Sequence, residues 1–175
     1  MAADDLGVGR VRRIVTGHDE AGRSIVVTDE HLLGATLAED AERSDATFFH
    51  LWATHEVPVS VSDASLELQR QACATTTVGT GAGSVLRIGV LAPGARSPMH
   101  RTESLDYGLC LGGECDLELD GGDVRTIRAG DVVIQRGTNH IWHNRSGAPC
   151  RFAWILLDAQ PYELDGKPLR AAFEH

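Results

Sequence analysis

A chain of 175 residues, 42% hydrophobic and 23% charged, has the size and balance of one globular domain that buries most of its apolar surface unaided. Its formal charge of −9 argues against a nucleic-acid partner, because phosphate binding needs a clustered excess of Lys and Arg. No apolar run is long enough to cross a bilayer and "MAADDLGVGR" does not open as a signal peptide, so a cytoplasmic location is expected.

Residues 1–9 read as an arm. "RVRRIVTGH" and "RSIVVTD" are β-branched runs around the turn-rich "GHDEAG", which predicts a hairpin. A short irregular helix is expected within residues 30–45, a strand over "ATFFHLWATHEV", a second short helix at "DASLELQRQA", and a surface loop at "TTTVGTGAG". After Ser84 the pattern becomes regular. "SVLRIGVLAPG", "DYGLCLGGECDLELDGGDVRTIRAGDVVIQRG" and "HIWHN" to "CRFAWILLD" are short strands divided by glycine turns, with no helical period between them. The paired glycines of "ELDGGDV" accept the positive φ of a tight turn. The tail "AQPYELDGKPLRAAFEH" is expected to wrap the outside. Cys73, Cys110, Cys115 and Cys150 show no C-x-x-C spacing and read as reduced thiols. The fold class is all-β, an antiparallel barrel or double-sheet sandwich over residues 84–158, with residues 1–83 extending the sheet in a single domain.

Side chains two apart share a strand face. His100 and Thr102 share one, Asp106 and Cys110 share another, and His140, Trp142 and Asn144 a third, while His143 points the other way. If these faces turn inward together, His100, Asp106 and His140 form a facial triad that holds a divalent metal with open positions. A metal-free polar pocket, with an Asp–His hydrogen bond holding the rings, is the alternative. Trp142 and Cys110 would shape the wall, and a small barrel also needs large inward side chains simply to fill it. An inward Arg87 would pair with a substrate carboxylate; an outward one would be solvated. His18, His31, His50, His55, His143 and His175 lack a partner at ligand spacing and read as surface or turn residues. In the last long strand both faces are apolar, Phe152, Trp154 and Leu156 against Ala153, Ile155 and Leu157. Cover on both sides is therefore expected, as a homodimer interface would give.

Residues 94–113 run Gly94, five residues, His100, one residue, Thr102, three residues, Asp106, six residues, Gly113. This resembles the first cupin motif, G(X)5HXH(X)3-4E(X)6G, with Thr102 in the second-histidine slot and Asp106 in the glutamate slot. Residues 130–144 resemble the second, G(X)5PXG(X)2H(X)3N, shortened by one residue and with Gln135 in place of proline. The words "HRTESLDYG" and "QRGTNHIWHN" are similar to a subgroup of small bacterial cupins. The resemblance implies a jelly-roll barrel whose metal is often held by three His and one Glu; here it implies His100, His140 and Asp106, with Fe, Mn, Ni or Zn equally suited. The missing histidine would leave an open coordination position. Asp106 and Thr102 are then expected at the reacting centre, Thr102 as a hydroxyl that either supports a ligand or contacts substrate.

The expected function is a metal-dependent enzyme of lyase, isomerase, cyclase or dioxygenase type, acting on a small polar organic molecule. The alternative is a metal-free barrel that binds a small molecule without turnover. The nucleophile elbow, the P-loop and the dinucleotide fingerprint are absent from the sequence.

Overall fold

The computed structural model describes residues 9–36, 46–62, 65–66 and 83–173. β1 (Arg10–His18) and β2 (Ser24–Leu33) form the expected hairpin. Its turn is held by Asp19, whose Oδ1 accepts the amides of Ala21 and Arg23 at 2.9 Å each. Then come β3 (Ala35–Thr36), β4 (Ala46–Thr54), β5 (Ser84–Leu91), β6 (His100–Arg101) and β7 (Ser104–Gly112). β8 (Glu114–Leu119), β9 (Val124–Arg128), β10 (Val132–Arg136), β11 (His140–His143) and β12 (Cys150–Asp158) follow. The tail adds β13 (Glu163–Leu164), β14 (Lys167–Pro168) and β15 (Ala172–Phe173).

Two antiparallel sheets face each other. One has six strands in the order β10-β7-β12-β5-β4-β3, the other five in the order β15-β6-β11-β8-β9. From β5 to β12 the chain changes sheet at every connection except the β8–β9 hairpin, which is the jelly-roll pattern. That hairpin turns on Gly122 at φ +90°. Residues 30–36, expected to begin a helix, instead complete β2 and form β3. The β-branched run before them carries the extended backbone onward, and β3 then pairs with β4. Residues 37–45 and most of "DASLELQRQA" and "TTTVGTGAG" lie outside the described residues. Within them, the amides of Ser65 and Leu66 return to the Ser62 carbonyl.

The space between the sheets is filled from one end. Leu91, Ala95, Cys110, Cys115, Cys150, Phe152, Trp142, Trp154 and Leu156 form one apolar cluster. Trp154 stacks on Phe152 at 5.0 Å and meets Trp142 edge-on at 6.0 Å. Gly89 and Gly108 leave room for its indole: a Cβ on Gly89 would sit 2.2 Å from Trp154 Cζ3. A second, smaller cluster lies on the outer face of the six-stranded sheet, where Val11 of the hairpin joins Phe49, Ile88 and Val90, with Leu51 and Ala153 against them. Part of the cover expected over β12 thus comes from the chain's own β1.

Asn144 ties the apolar end together. It has no exposed surface, and its Nδ2 donates to the carbonyls of Leu91 (3.0 Å) and Ala148 (2.9 Å). Its Oδ1 accepts the Ser146 amide at 3.0 Å and the Ser146 hydroxyl at 2.7 Å. Its backbone adds two more bonds, to Gly94 and Ala95. Among the described residues no helix is long and apolar enough to cross a membrane.

Candidate active site

Beyond Trp142 and Trp154 the inner faces of the two sheets carry polar side chains. β6 and β11 pair at a single point, His140 opposite His100, and this sets their rings 4.1 Å apart at a 48° tilt. His100 Nδ1 lies 2.9 Å from the Pro98 carbonyl, and His140 Nδ1 lies 2.9 Å from the Thr138 carbonyl. A carbonyl only accepts, so both rings carry their proton on Nδ1 and keep a lone pair on Nε2. Burial holds the His140 pKa down to about 4, with the neighbouring His100 adding to the effect. Burial likewise depresses His100, so both imidazoles are neutral at pH 7.

Asp106, on β7 in the facing sheet, is 7% exposed. Burial raises its pKa, against the opposing pull of the Ser104 hydroxyl, Arg87, Thr102 and His100. Its Oδ2 accepts the Thr102 hydroxyl at 3.4 Å, and Thr102 in turn accepts from Ser104 at 2.8 Å. Its Oδ1 is buried without a partner among the described residues. Of the two roles expected for Thr102, this contact is that of a hydroxyl supporting Asp106, and the short β6–β7 connection points it along the chain at the carboxylate.

The donor set falls short of the expected triad. Among the described residues no three His, Cys, Asp or Glu side chains gather at a spacing that could hold a metal. Two imidazoles meet, while Asp106 belongs to the facing sheet and acts on His100 through space. Two neutral nitrogens do not fit the three-donor centre that the motif resemblance implies.

Of the remaining candidates, Trp142 meets His140 edge-on at 6.2 Å and forms the floor of the site. Cys110 is in the apolar end instead, four residues along β7 from Asp106, with its sulfur 4.0 Å from Cys150. Strand parity placed it on the inner face but said nothing of depth. Arg87 is inward, over the face of Phe48 at 5.0 Å. His143 points away, toward Glu118 at 3.3 Å. His50, read as a surface or turn histidine, instead lies within β4 with a buried Nδ1, and Gln135, read only as a replacement for the motif's proline, is also part of the barrel wall. His50 lies opposite Arg87 in the β4–β5 register, and Gln135, 5% exposed, lies opposite Asp106. The tail closes one side: β15 pairs with β6, Phe173 stacks on His100 at 5.6 Å, and Glu103 binds Arg170 (3.1 Å) and the Ala171 amide (3.1 Å).

Comparison with known proteins fits this geometry. The family model described as a cupin domain matches residues 87–156. Phomopsin biosynthesis cluster protein C' of Diaporthe leptostromiformis is 43% identical over 162 residues, covering 90% of this chain and 83% of that protein. The chain belongs to the cupin superfamily. The cupin-domain-containing oxidoreductase fogC of Aspergillus ruber is 36% identical over 171 residues, covering 93% of this chain and 80% of its own length. Both relatives are fungal, which gives no support to the bacterial subgroup suggested by the motif words. Among solved structures, the polyketide cyclase RemF from Streptomyces resistomycificus superposes with a TM-score of 0.50 at 17% identity, over 81% of this chain and 79% of that one. That likeness concerns the fold.

In this cupin the buried acid strains the fold at neutral pH. A raised carboxyl pKa means that the folded state disfavours the charged form, a cost that fades as pH falls through the folded pKa. Asp106→Asn is therefore expected to raise stability at pH 7 by roughly 0.5–2 kcal/mol. Urea unfolding midpoints for the two proteins check this; a lower midpoint for the variant would reverse the assignment.

Proposed function

We propose that this cupin is an enzyme that admits a small polar organic molecule to the polar end of the barrel and moves a proton there. The observation behind the reading is the pair of neutral imidazoles, each pinned at Nδ1 by a backbone carbonyl, which leaves the lone pair of the neutral ring on Nε2. His100, the less buried of the two, is the base. His140 beside it opposes a second protonation. Lyase, isomerase and cyclase reactions all need such a transfer. The names of the relatives, biosynthesis cluster proteins and oxidoreductases, favour an enzyme over a passive binding module.

Hydrogen–deuterium exchange tests this without knowledge of the product. The protein is incubated in D2O with small ketones, keto acids and their amides, and loss of the α-proton signal is followed by NMR. Catalysed exchange, reduced about 100- to 10,000-fold in His100→Gln, is expected. Binding without exchange for every compound would make the protein a binding module.

The oxidoreductase names of relatives favour a second reading, in which His100 and His140 would hold a divalent ion, Fe, Mn or Ni supplying redox chemistry and Zn only a Lewis acid. With two donors in place, loading with each ion followed by desalting should leave well below one ion per chain. About one ion per chain, lost in the His100→Ala/His140→Ala double variant, would favour the redox reading. A cytoplasmic location and a homodimer belong to the same proposal. Free Cys110, Cys115 and Cys150 support the first, and exposed Val132 and Ile134 on β10 support the second.

A further inference from the structure

The inner face of the six-stranded sheet holds polar groups that the proton-transfer reading does not use. Arg87 on β5 and His50 on β4 are direct register partners; Gln135 on β10 and Asp106 on β7 are another such pair, one row along the barrel. Each has a buried polar atom with no hydrogen-bond partner among the described residues: Arg87 Nε, His50 Nδ1, Gln135 Nε2 and Asp106 Oδ1. Gln135 and Asp106 are only 5% and 7% exposed, so these orphaned atoms face the barrel interior rather than bulk water. A buried polar group left unpaired costs free energy, and four on one face are a socket shaped for something.

The chemistry of the socket is specific. The Arg87 guanidinium lies over the Phe48 ring at 5.0 Å, which covers its flat face and leaves its edge of N–H donors open. That edge matches two oxygens of a carboxylate. Asp106 is the acid that acts on Arg87 electrostatically, and the two form no ion pair among the described residues. Gln135 Nε2 adds a neutral donor. Asp106 Oδ1 is an acceptor and calls for a hydroxyl. Trp154, between Arg87 and Gly108 in the register, supplies an apolar floor.

We propose that Arg87 and His50 form a carboxylate-binding subsite, and that Asp106 and Gln135 receive a hydroxyl of the same molecule, so that the barrel takes a small hydroxy acid or the enol form of a keto acid. The subsite rests on the reading of the polar barrel end as the active site, and it orients the acid across from His100 and His140. It requires no metal.

The test compares carboxylates with their uncharged isosteres by calorimetry: salicylate against salicylamide, and malonate against malonamide. The intact protein is expected to prefer the acids by roughly 10–100-fold, and Arg87→Met to abolish the preference. Arg87→Met removes an unpaired buried charge, so an unfolding midpoint at or above that of the parent shows that the loss is not one of folding. Asp106→Asn should weaken salicylate, which carries a hydroxyl, more than malonate, which carries none. Equal binding of acid and amide, absence of binding by all four probes, or a preference that survives Arg87→Met would overturn the subsite and mean that water alone fills the socket. The two proposals fail separately. Exchange in D2O without an acid preference removes the subsite and leaves the proton transfer; acid preference without exchange does the reverse.

Discussion

Asn144→Ala is expected to destabilise the protein by about 3–5 kcal/mol, the largest single-site loss outside the aromatic core. The side chain has no exposed surface and makes four hydrogen bonds, two donated to Leu91 and Ala148 and two accepted from Ser146. Alanine would leave the two carbonyls and the Ser146 groups searching for partners in a place water does not reach. For a chain of this length the loss corresponds to a drop of roughly 10 °C in Tm, readable by calorimetry. Asn144→Asp is expected to be no milder, because it keeps the acceptor but sets a negative charge against two carbonyl oxygens. A loss under about 1 kcal/mol in both variants would mean that the loops on either side hold themselves in place.

The second large effect is a loss of stability in mild acid. His140 is folded with a pKa of about 4, against 6.5 for the free side chain. Above pH 6.5 the ring is neutral in both states and contributes no pH dependence. Between pH 6.5 and 4 the unfolded chain takes up the proton and the folded one does not, so stability falls as pH falls, by about 3 kcal/mol in total. His100 and His50 are depressed by burial and act in the same direction. Carboxylates held low by partners, such as Asp19 and Asp116, add their losses mainly in stronger acid. Urea unfolding at pH 7.5, 6, 5 and 4.5 should show the fall in the parent protein and a flatter profile in His140→Gln. Parallel profiles would place the acid sensitivity elsewhere.

The barrel was legible because its strands alternate and its turns are marked by glycine; Gly122 sits where "ELDGGDV" put the turn. The meeting of His100 and His140 was legible from motif spacing. Other features were not. Asn144 stood in the motif, but three of its four side-chain bonds go to backbone groups, and every residue carries those. His50 has no spacing relation to another ligand type, since its neighbour Arg87 arrives from 37 residues away through the register of β4 and β5. The sequence could not choose between the two roles of Thr102, because strand parity describes faces and the β6–β7 connection it occupies is not strand. Likewise, a two-residue strand such as β15 is too short to leave a periodic signal.

That last strand has a practical bearing on recombinant work. Phe173 pairs with His100 across the sheet edge and stacks on its ring, so a tag joined to the tail begins within a few residues of the two-imidazole site. A polyhistidine tag placed there would bring further imidazoles within reach of His100 and His140. Elemental analysis of such a fusion would count ions gathered by the tag. An amino-terminal tag, removed before assay, keeps the measurement on His100 and His140 themselves.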